Sequence, residues 1–129
     1  MKAIEIQNVA PSVTVYLTHS EKKAKRVMRK IGIENVELEQ GYDAKTIWND
    51  DFEDGEPVFI VLMNASVNHS WDQDVGLLVH EAVHVSQGYF ASIGEIEPSI
   101  EFQAYVIQNI AQDLCVEHFE WKRKQMIGA

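Results

Sequence analysis

The sequence predicts an α+β domain in which a small mixed or antiparallel sheet packs on helices. Two observations predict this class: strand-like segments are concentrated in the first half of the chain, and two long helix-like segments follow them. The 129 residues, 46% of them apolar, suffice to bury one core of ordinary size. Since no repeat, low-complexity tract or Pro/Gly/Ser-rich linker divides the chain, we predict a single domain over residues 1–129.

The first half of the chain predicts a strand, a helix and two weaker strands. Residues 13–17 alternate in polarity and are rich in branched and aromatic side chains, which is typical of a strand. Thr18, followed three residues later by Glu21, has the spacing of a capping box, and Gly32 lies where a glycine commonly ends a helix. Weaker strand candidates follow at 36–38 and at Ala44–Trp48, and residues 50–55 predict a polar turn.

From residue 58 onward the sequence predicts one buried strand and two helices. Val58–Met63 is continuously apolar, which favours a strand buried on both faces. Ser70 and Gln73 have capping-box spacing at the start of the first helix, and Gly88 is its expected end. Pro98 suits the first turn of the second helix. Its apolar positions keep helical spacing at Phe102, Val106, Ile110 and Leu114.

Charge and composition exclude several classes of protein. The formal net charge is −9, with 20 acidic against 11 basic residues, so we expect no nucleic-acid partner. Six of the basic residues lie within 22–30, which is typical of a solvated helix face. The longest apolar run has six residues, too few to span a membrane, and the amino terminus does not resemble a signal peptide. The single cysteine, Cys115, cannot form an internal disulfide, and a cytoplasmic location is therefore expected.

The most informative motif is His80-Glu81-Ala82-Val83-His84, which lies inside a segment that is predicted to be helical. Residues four apart lie on the same face of a helix, so both imidazoles can reach one zinc ion at ~2.0–2.1 Å. Glu81 lies on the adjacent flank, where a carboxylate can take a proton from water without binding the metal. The alternative is that the two histidines only hydrogen-bond to solvent and backbone.

A catalytic zinc usually has three protein ligands, so a third must come from elsewhere in the chain. The candidates are Glu95, Glu97, Glu101, His69 and His118. Glu101 is favoured because it lies one turn into the last helix, after enough chain to turn back toward His84. Glu97 precedes Pro98 and is expected at the helix cap, where its charge favours the helix dipole.

These residues resemble the gluzincin branch of the zincin metallopeptidases, in which a glutamate on a second helix is the third zinc ligand. The segment 78–84, together with 94–108, is similar to small metallopeptidases encoded by tailed bacteriophages. The resemblance implies that His80, His84 and Glu101 bind Zn²⁺, that Glu81 is the catalytic base, and that peptides or proteins are the substrate. It also implies that the strand before the metal helix, 58–64, lies at the sheet edge and pairs with the substrate.

The group that stabilises the oxyanion is not fixed by the motif. In thermolysin-like enzymes a carboxylate often follows the third ligand by four residues, but this chain has Tyr105 there. Tyr105 is therefore a candidate for stabilising the oxyanion or supporting a ligand, with Tyr89 and His69 as alternatives. The competing function is an acidic protein-binding module, such as a phage-encoded inhibitor or nucleic-acid mimic, with a structural or vestigial zinc site.

Overall fold

The computed structural model describes residues 3–6, 13–33, 41–49, 57–65 and 68–128. Within these residues the chain forms a four-stranded sheet and three helices, which confirms the α+β class. The elements are β1 (Ala3–Ile6), β2 (Val13–Thr18), α1 (Glu21–Lys30), β3 (Ala44–Trp48), β4 (Val58–Met63), α2 (Trp71–Ser92) and α3 (Ile100–Ile127).

The sheet is mixed, with strand order β1-β2-β4-β3. β2 and β4 are parallel, whereas the β1–β2 and β3–β4 pairs are antiparallel. The expectation that 58–64 lies at the sheet edge is therefore wrong, because β4 pairs on both sides and β3 is the edge strand. The physical reason is the continuous apolar sequence of β4: five of its six residues are buried, which only an inner strand covered on both faces permits.

Helices cover both faces of this sheet, so the domain has three layers. Alternate residues of β4 point to opposite faces. Phe59, Val61 and Met63 pack against α2 and α3 in the larger core, whereas Ile60 and Leu62 pack against α1 in the smaller one. The predicted apolar positions of α3 pack with the larger core: Phe102, Val106, Ile110 and Leu114.

Several predicted helix ends are confirmed and one start is corrected. The Ser70 backbone N–H donates to Gln73 Oε1 at 2.9 Å, as a capping box requires. α1 is capped by Ser20 rather than Thr18, because Thr18 remains in β2 and its hydroxyl accepts from the Ser20 N–H at 3.2 Å. Gly32, with φ +86°, follows the end of α1 as predicted.

The predicted end of α2 at Gly88 is wrong, because the helix continues to Ser92 and Gly94 follows it with φ +71°. Gly88 instead lies inside α2, where it faces the Phe59 ring of β4. A Cβ at this position would lie 2.9 Å from Phe59 Cζ, so a larger residue would force the helix away. Pro98 lies before α3 rather than in its first turn, and the N-cap is Ser99 rather than Glu97, because the Ser99 hydroxyl accepts from the Phe102 backbone N–H at 3.2 Å.

The sequence did not predict β1, and two predicted features, the strand at 36–38 and the turn at 50–55, lie outside the described residues. No helix in the part of the chain that the structure describes is long and apolar enough to cross a membrane.

Candidate metal centre

The two motif histidines lie side by side on α2. His84 Nε2 and His80 Nε2 are 3.2 Å apart. Two nitrogens that bind one tetrahedral zinc at ~2.0–2.1 Å lie about 3.3 Å apart, so the pair already has the spacing of two zinc ligands. His84 Nδ1 lies 3.2 Å from Gln87 Oε1. Because a carboxamide oxygen only accepts, Nδ1 carries the hydrogen and Nε2 keeps its lone pair for a metal.

Glu81 takes the position that the motif predicts for a base, but its orientation depends on the sheet. The side chain is buried, with 3% of the residue exposed, and Thr46 Oγ1 donates to Glu81 Oε1 at 2.8 Å. Thr46 lies on β3, so the edge strand holds one carboxylate oxygen and leaves the other unconstrained by this bond. The helical motif does not indicate Thr46. The alternation of side chains along β3 could have indicated it, because it puts residues 44, 46 and 48 on the face toward α2.

An open cleft of about 530 Å³ lies beside the histidine pair, between β3 and the first half of α2. We call it the cleft and define it by its lining residues, which are Asp43, Ala44, His69, Gln73, Gly76, Leu77, His80 and Glu81. The His80 imidazole and the carboxylate of Glu81 thus share a cavity that is large enough for an amino-acid side chain.

The third predicted ligand is not adjacent to the pair. Among the described residues, no group of three or more His, Cys, Asp and Glu side chains lies close enough to hold a metal ion. Glu101 is exposed in the first turn of α3, and Glu95 and Glu97 are exposed in the turn before it. The structure therefore brings together His80, His84 and Glu81, and the role of Glu101 stays a prediction.

The candidates for stabilising an oxyanion occupy three different environments. Tyr105 lies on α3 with 60% of its surface exposed. Tyr89 is buried in the larger core, and burial raises the pKa of its phenol. His69 lines the cleft, with its Nε2 3.7 Å from Asp43 Oδ1 and its Nδ1 3.8 Å from Asp74 Oδ1. Of the three, His69 is the candidate that shares a cavity with His80 and Glu81.

A second group of ionisable residues was not predicted from the sequence. We call it the Asp74 cluster: Asp74, His118, His19 and Lys122. Asp74 Oδ2 lies 3.0 Å from His118 Nε2 and accepts from Lys122 Nζ at 2.7 Å. His118 Nδ1 lies 2.9 Å from His19 Nε2, and the His19 ring stacks on Trp121 at 3.6 Å between ring centres.

The Asp74 cluster is electrostatically balanced without a metal. Burial alone would raise the pKa of Asp74, but the Lys122 ammonium and the His118 imidazole outweigh burial and hold this pKa below its ordinary value. Burial and the neighbouring His118 lower the pKa of His19 to about 4, against the opposing effect of Asp74. His118, a candidate third ligand from the sequence, is thus bound to Asp74 and His19.

No protein-family model matches the chain, and comparisons with curated proteins and with solved structures found no significant match.

Proposed function

We propose that the chain is a zinc-dependent metallopeptidase that hydrolyses peptide or protein substrates, with Glu81 as the catalytic base. One observation carries this proposal: the His80 and His84 Nε2 atoms have the spacing of two zinc ligands, and the adjacent Glu81 carboxylate is buried and oriented by Thr46. A pair of histidines that only contacted solvent would need neither the base nor its support.

In this proposal His80 and His84 would hold the zinc, and Glu101, which the structure does not place beside them, would be the third ligand by resemblance. Bound zinc supplies a Lewis acid that makes water more acidic and draws electrons from the scissile carbonyl. The support for Glu101 is its place in the first turn of α3, the helix that packs along α2, together with the resemblance to gluzincins.

Glu81 moves the proton. Thr46 Oγ1 donates to Glu81 Oε1, so Oε2 is the oxygen that takes a proton from water and passes it to the leaving amine. The hydrogen bond also prevents the carboxylate from rotating, which keeps Oε2 at one position during both transfers. His69, which lines the same cleft between two carboxylates, is our candidate donor to the oxyanion.

The substrate has a natural place on the edge strand. β3 pairs with β4 on one side, and the described part of the chain contributes no strand to its other side. An extended peptide that added to this edge would run past Thr46 toward the cleft. We thus assign to β3 the pairing with substrate that the resemblance implies for residues 58–64. The lone Cys115 favours a reducing compartment, and we place the reaction in the cytoplasm.

The test is metal content together with hydrolysis. We expect the purified, untagged chain to carry about one zinc per molecule by mass spectrometry. We expect Glu81→Gln to keep this zinc and to lose peptide hydrolysis, because the amide cannot accept the proton. Undiminished turnover by Glu81→Gln would refute the mechanism.

The third ligand needs its own variant. Glu101→Gln should lose stoichiometric zinc, whereas Glu97→Gln, which neutralises an exposed carboxylate four residues earlier, should retain it. If both variants keep the zinc, Glu101 is not a ligand.

The same measurements address the competing function. Ile96 in the turn between α2 and α3 and Ile100 at the start of α3 are 92% and 84% exposed, and Glu95 and Glu97 flank Ile96 in the sequence. Such a surface is typical of a protein-binding site. A native chain without zinc, even after zinc is added, would make the acidic binding module the better proposal.

A further inference from the structure

We propose that the cleft selects substrates that carry a lysine or arginine side chain next to the scissile bond, and that Asp43 is the residue that selects it. This inference rests on the proposed function, because it names the substrate class of the same cleft.

The charges that line the cleft favour a cation. Its lining has two carboxylates, Asp43 and Glu81, and neither lysine nor arginine. Glu81 is buried and bound to Thr46, whereas the Asp43 side chain is 54% exposed. Asp43 Oδ1 lies 3.7 Å from His69 Nε2, which is longer than a hydrogen bond. Asp43 is therefore the carboxylate that can receive a charged group from a substrate.

Asp43 also lies where a bound peptide would pass. It directly precedes β3, and its carbonyl oxygen accepts from the Asn64 backbone N–H at 2.9 Å, so the sheet fixes its backbone. A peptide that pairs with the side of β3 on which the described residues place no strand would run alongside this position, and every second side chain would point toward the α2 face. A side chain of the peptide can thus approach Asp43 through the cleft.

Gly76 provides room for a long side chain. It lies within α2 and lines the cleft, and no heavy atom lies within 4 Å of the position that a Cβ would occupy. Alanine is favoured over glycine inside a helix, and packing does not require glycine here. The glycine therefore leaves open space on the helix surface, where the methylene groups of a lysine or arginine can lie while the charged end reaches Asp43.

The formal net charge of the chain, −9, acts in the same direction over a longer range. Between Glu34 and Trp121 the sequence has eighteen acidic residues and one basic residue, Lys45. A field of this sign raises the local concentration of cationic peptides and speeds their encounter with the cleft.

The test uses the zinc-loaded full-length chain and fluorogenic peptides that differ at one residue. The series places lysine, norleucine or glutamate, in turn, at each position that flanks the scissile bond. Norleucine keeps the aliphatic chain of lysine and removes its charge. At one of these positions we expect kcat/KM for the lysine peptide to exceed that for norleucine about fivefold, as one partly exposed ion pair provides, and glutamate to be cleaved most slowly.

Two variants assign the preference to Asp43. Asp43→Asn should reduce the lysine-to-norleucine ratio to about one. Asp72→Asn removes the same charge from an exposed residue that does not line the cleft, and should keep the ratio. Equal rates for lysine and norleucine with the native chain, or a ratio that Asp43→Asn leaves unchanged, would overturn the proposal.

Binding separates the selectivity from the chemistry. We would measure the affinity of labelled lysine and norleucine peptides for Glu81→Gln by fluorescence anisotropy. A lysine preference that Asp43→Asn removes supports the selectivity even if the native chain cleaves no peptide, in which case the proposed function alone fails. Absence of any lysine preference in binding would overturn the selectivity, whatever the rate of cleavage.

Discussion

Two histidine pairs in this molecule have similar distances and opposite surroundings. His80 and His84 are four residues apart on α2, with a nitrogen separation of 3.2 Å at the surface. His19 and His118 are 99 residues apart, with a separation of 2.9 Å, and His118 is buried. In the first pair, His80 lines the cleft. In the second pair, His118 contacts Asp74 and His19 stacks on Trp121.

The difference shows that distance alone does not make a metal site. In the Asp74 cluster the Lys122 ammonium already occupies the position beside the carboxylate at 2.7 Å, so the charge is balanced and a metal has no place there. Among the described residues no lysine or arginine is bound to the α2 pair, and His80 lines the open cleft. We therefore propose a structural role for His19 and His118 and a functional one for His80 and His84.

Removing each pair should give opposite results, and this is the largest effect that we expect. His80→Ala with His84→Ala should lose stoichiometric zinc and change the free energy of unfolding in chelator by less than about 0.5 kcal/mol. His19→Ala with His118→Ala should keep the zinc and lose about 3 kcal/mol, because it empties a buried, hydrogen-bonded site. Zinc analysis and urea unfolding measure both. Equal loss of stability in the two double variants would contradict the comparison.

Neutralising Asp74 should reveal how much the buried pair depends on its charge. Asp74→Asn leaves Lys122 without its carboxylate and weakens the bond to His118, so we expect a loss of about 2–3 kcal/mol in the free energy of unfolding. Asp72→Asn, an exposed change in the same helical turn, should cost clearly less stability than Asp74→Asn. Urea unfolding of the two variants at pH 7 tests this. Equal losses of stability would mean that the negative charge near the start of α2 matters, and not the contacts of Asp74 with Lys122 and His118.

We expect acid to reduce the stability that the His19–His118 pair gives to the fold. His19 ionises near pH 6.5 in the unfolded chain and only near pH 4 in the folded one, so the unfolded state binds the extra proton as the pH falls. The stabilisation by neutral His19 is complete above about pH 6.5 and declines as the pH falls toward 4. We expect the total loss to be about 2 kcal/mol, which is less than a fully buried ring would give, because this ring is only partly buried.

His19→Phe tests this sign. Phenylalanine keeps a ring against Trp121 and cannot ionise, so the variant should be less sensitive to acid between pH 6.5 and 4 than the native chain. Unfolding curves at several pH values measure the difference. A variant with the native pH dependence would show that another group is responsible.

The smallest effect that we expect concerns Gln87, whose side-chain oxygen contacts the His84 ring. Gln87→Leu removes the acceptor that fixes the His84 ring, and we expect zinc to bind about tenfold more weakly, measured by competition with a chromophoric chelator. Gln112→Leu changes an exposed amide on α3 and should have no effect on zinc. Identical affinities in the two variants would mean that Gln87 does not orient the ring.

What could be predicted from the sequence was local. The strands at Ala44–Trp48 and Val58–Met63, the start of α2 and the facing of His80 and His84 follow from periodicity and capping within a few residues. The α+β class follows from the order of these segments.

What could not be predicted depends on contacts between distant residues. The order of the described strands puts β3 rather than β4 at the edge; the continuous apolar run of β4 indicated its burial but not which strands pair with it. Gly88 has the residue type of a helix end, yet it lies inside α2. A glycine stands there because Phe59 of β4 occupies the space that a side chain would need. Thr46 and Glu81 are 35 residues apart. The Asp74 cluster joins the end of β2, the start of α2 and the end of α3, and its residue types are unremarkable in each segment.

The parallel pairing of β2 with β4 has a consequence for the order of folding. It joins Thr14 to Val58, across a long stretch of chain, whereas α2 and α3 are consecutive helices that pack with only a short turn between them. Because local contacts form faster than distant ones, we expect the helical hairpin to form before the sheet. The histidine pair would then form before Thr46 reaches Glu81, so that, under the proposed function, newly made chains would bind metal before the proposed base is oriented.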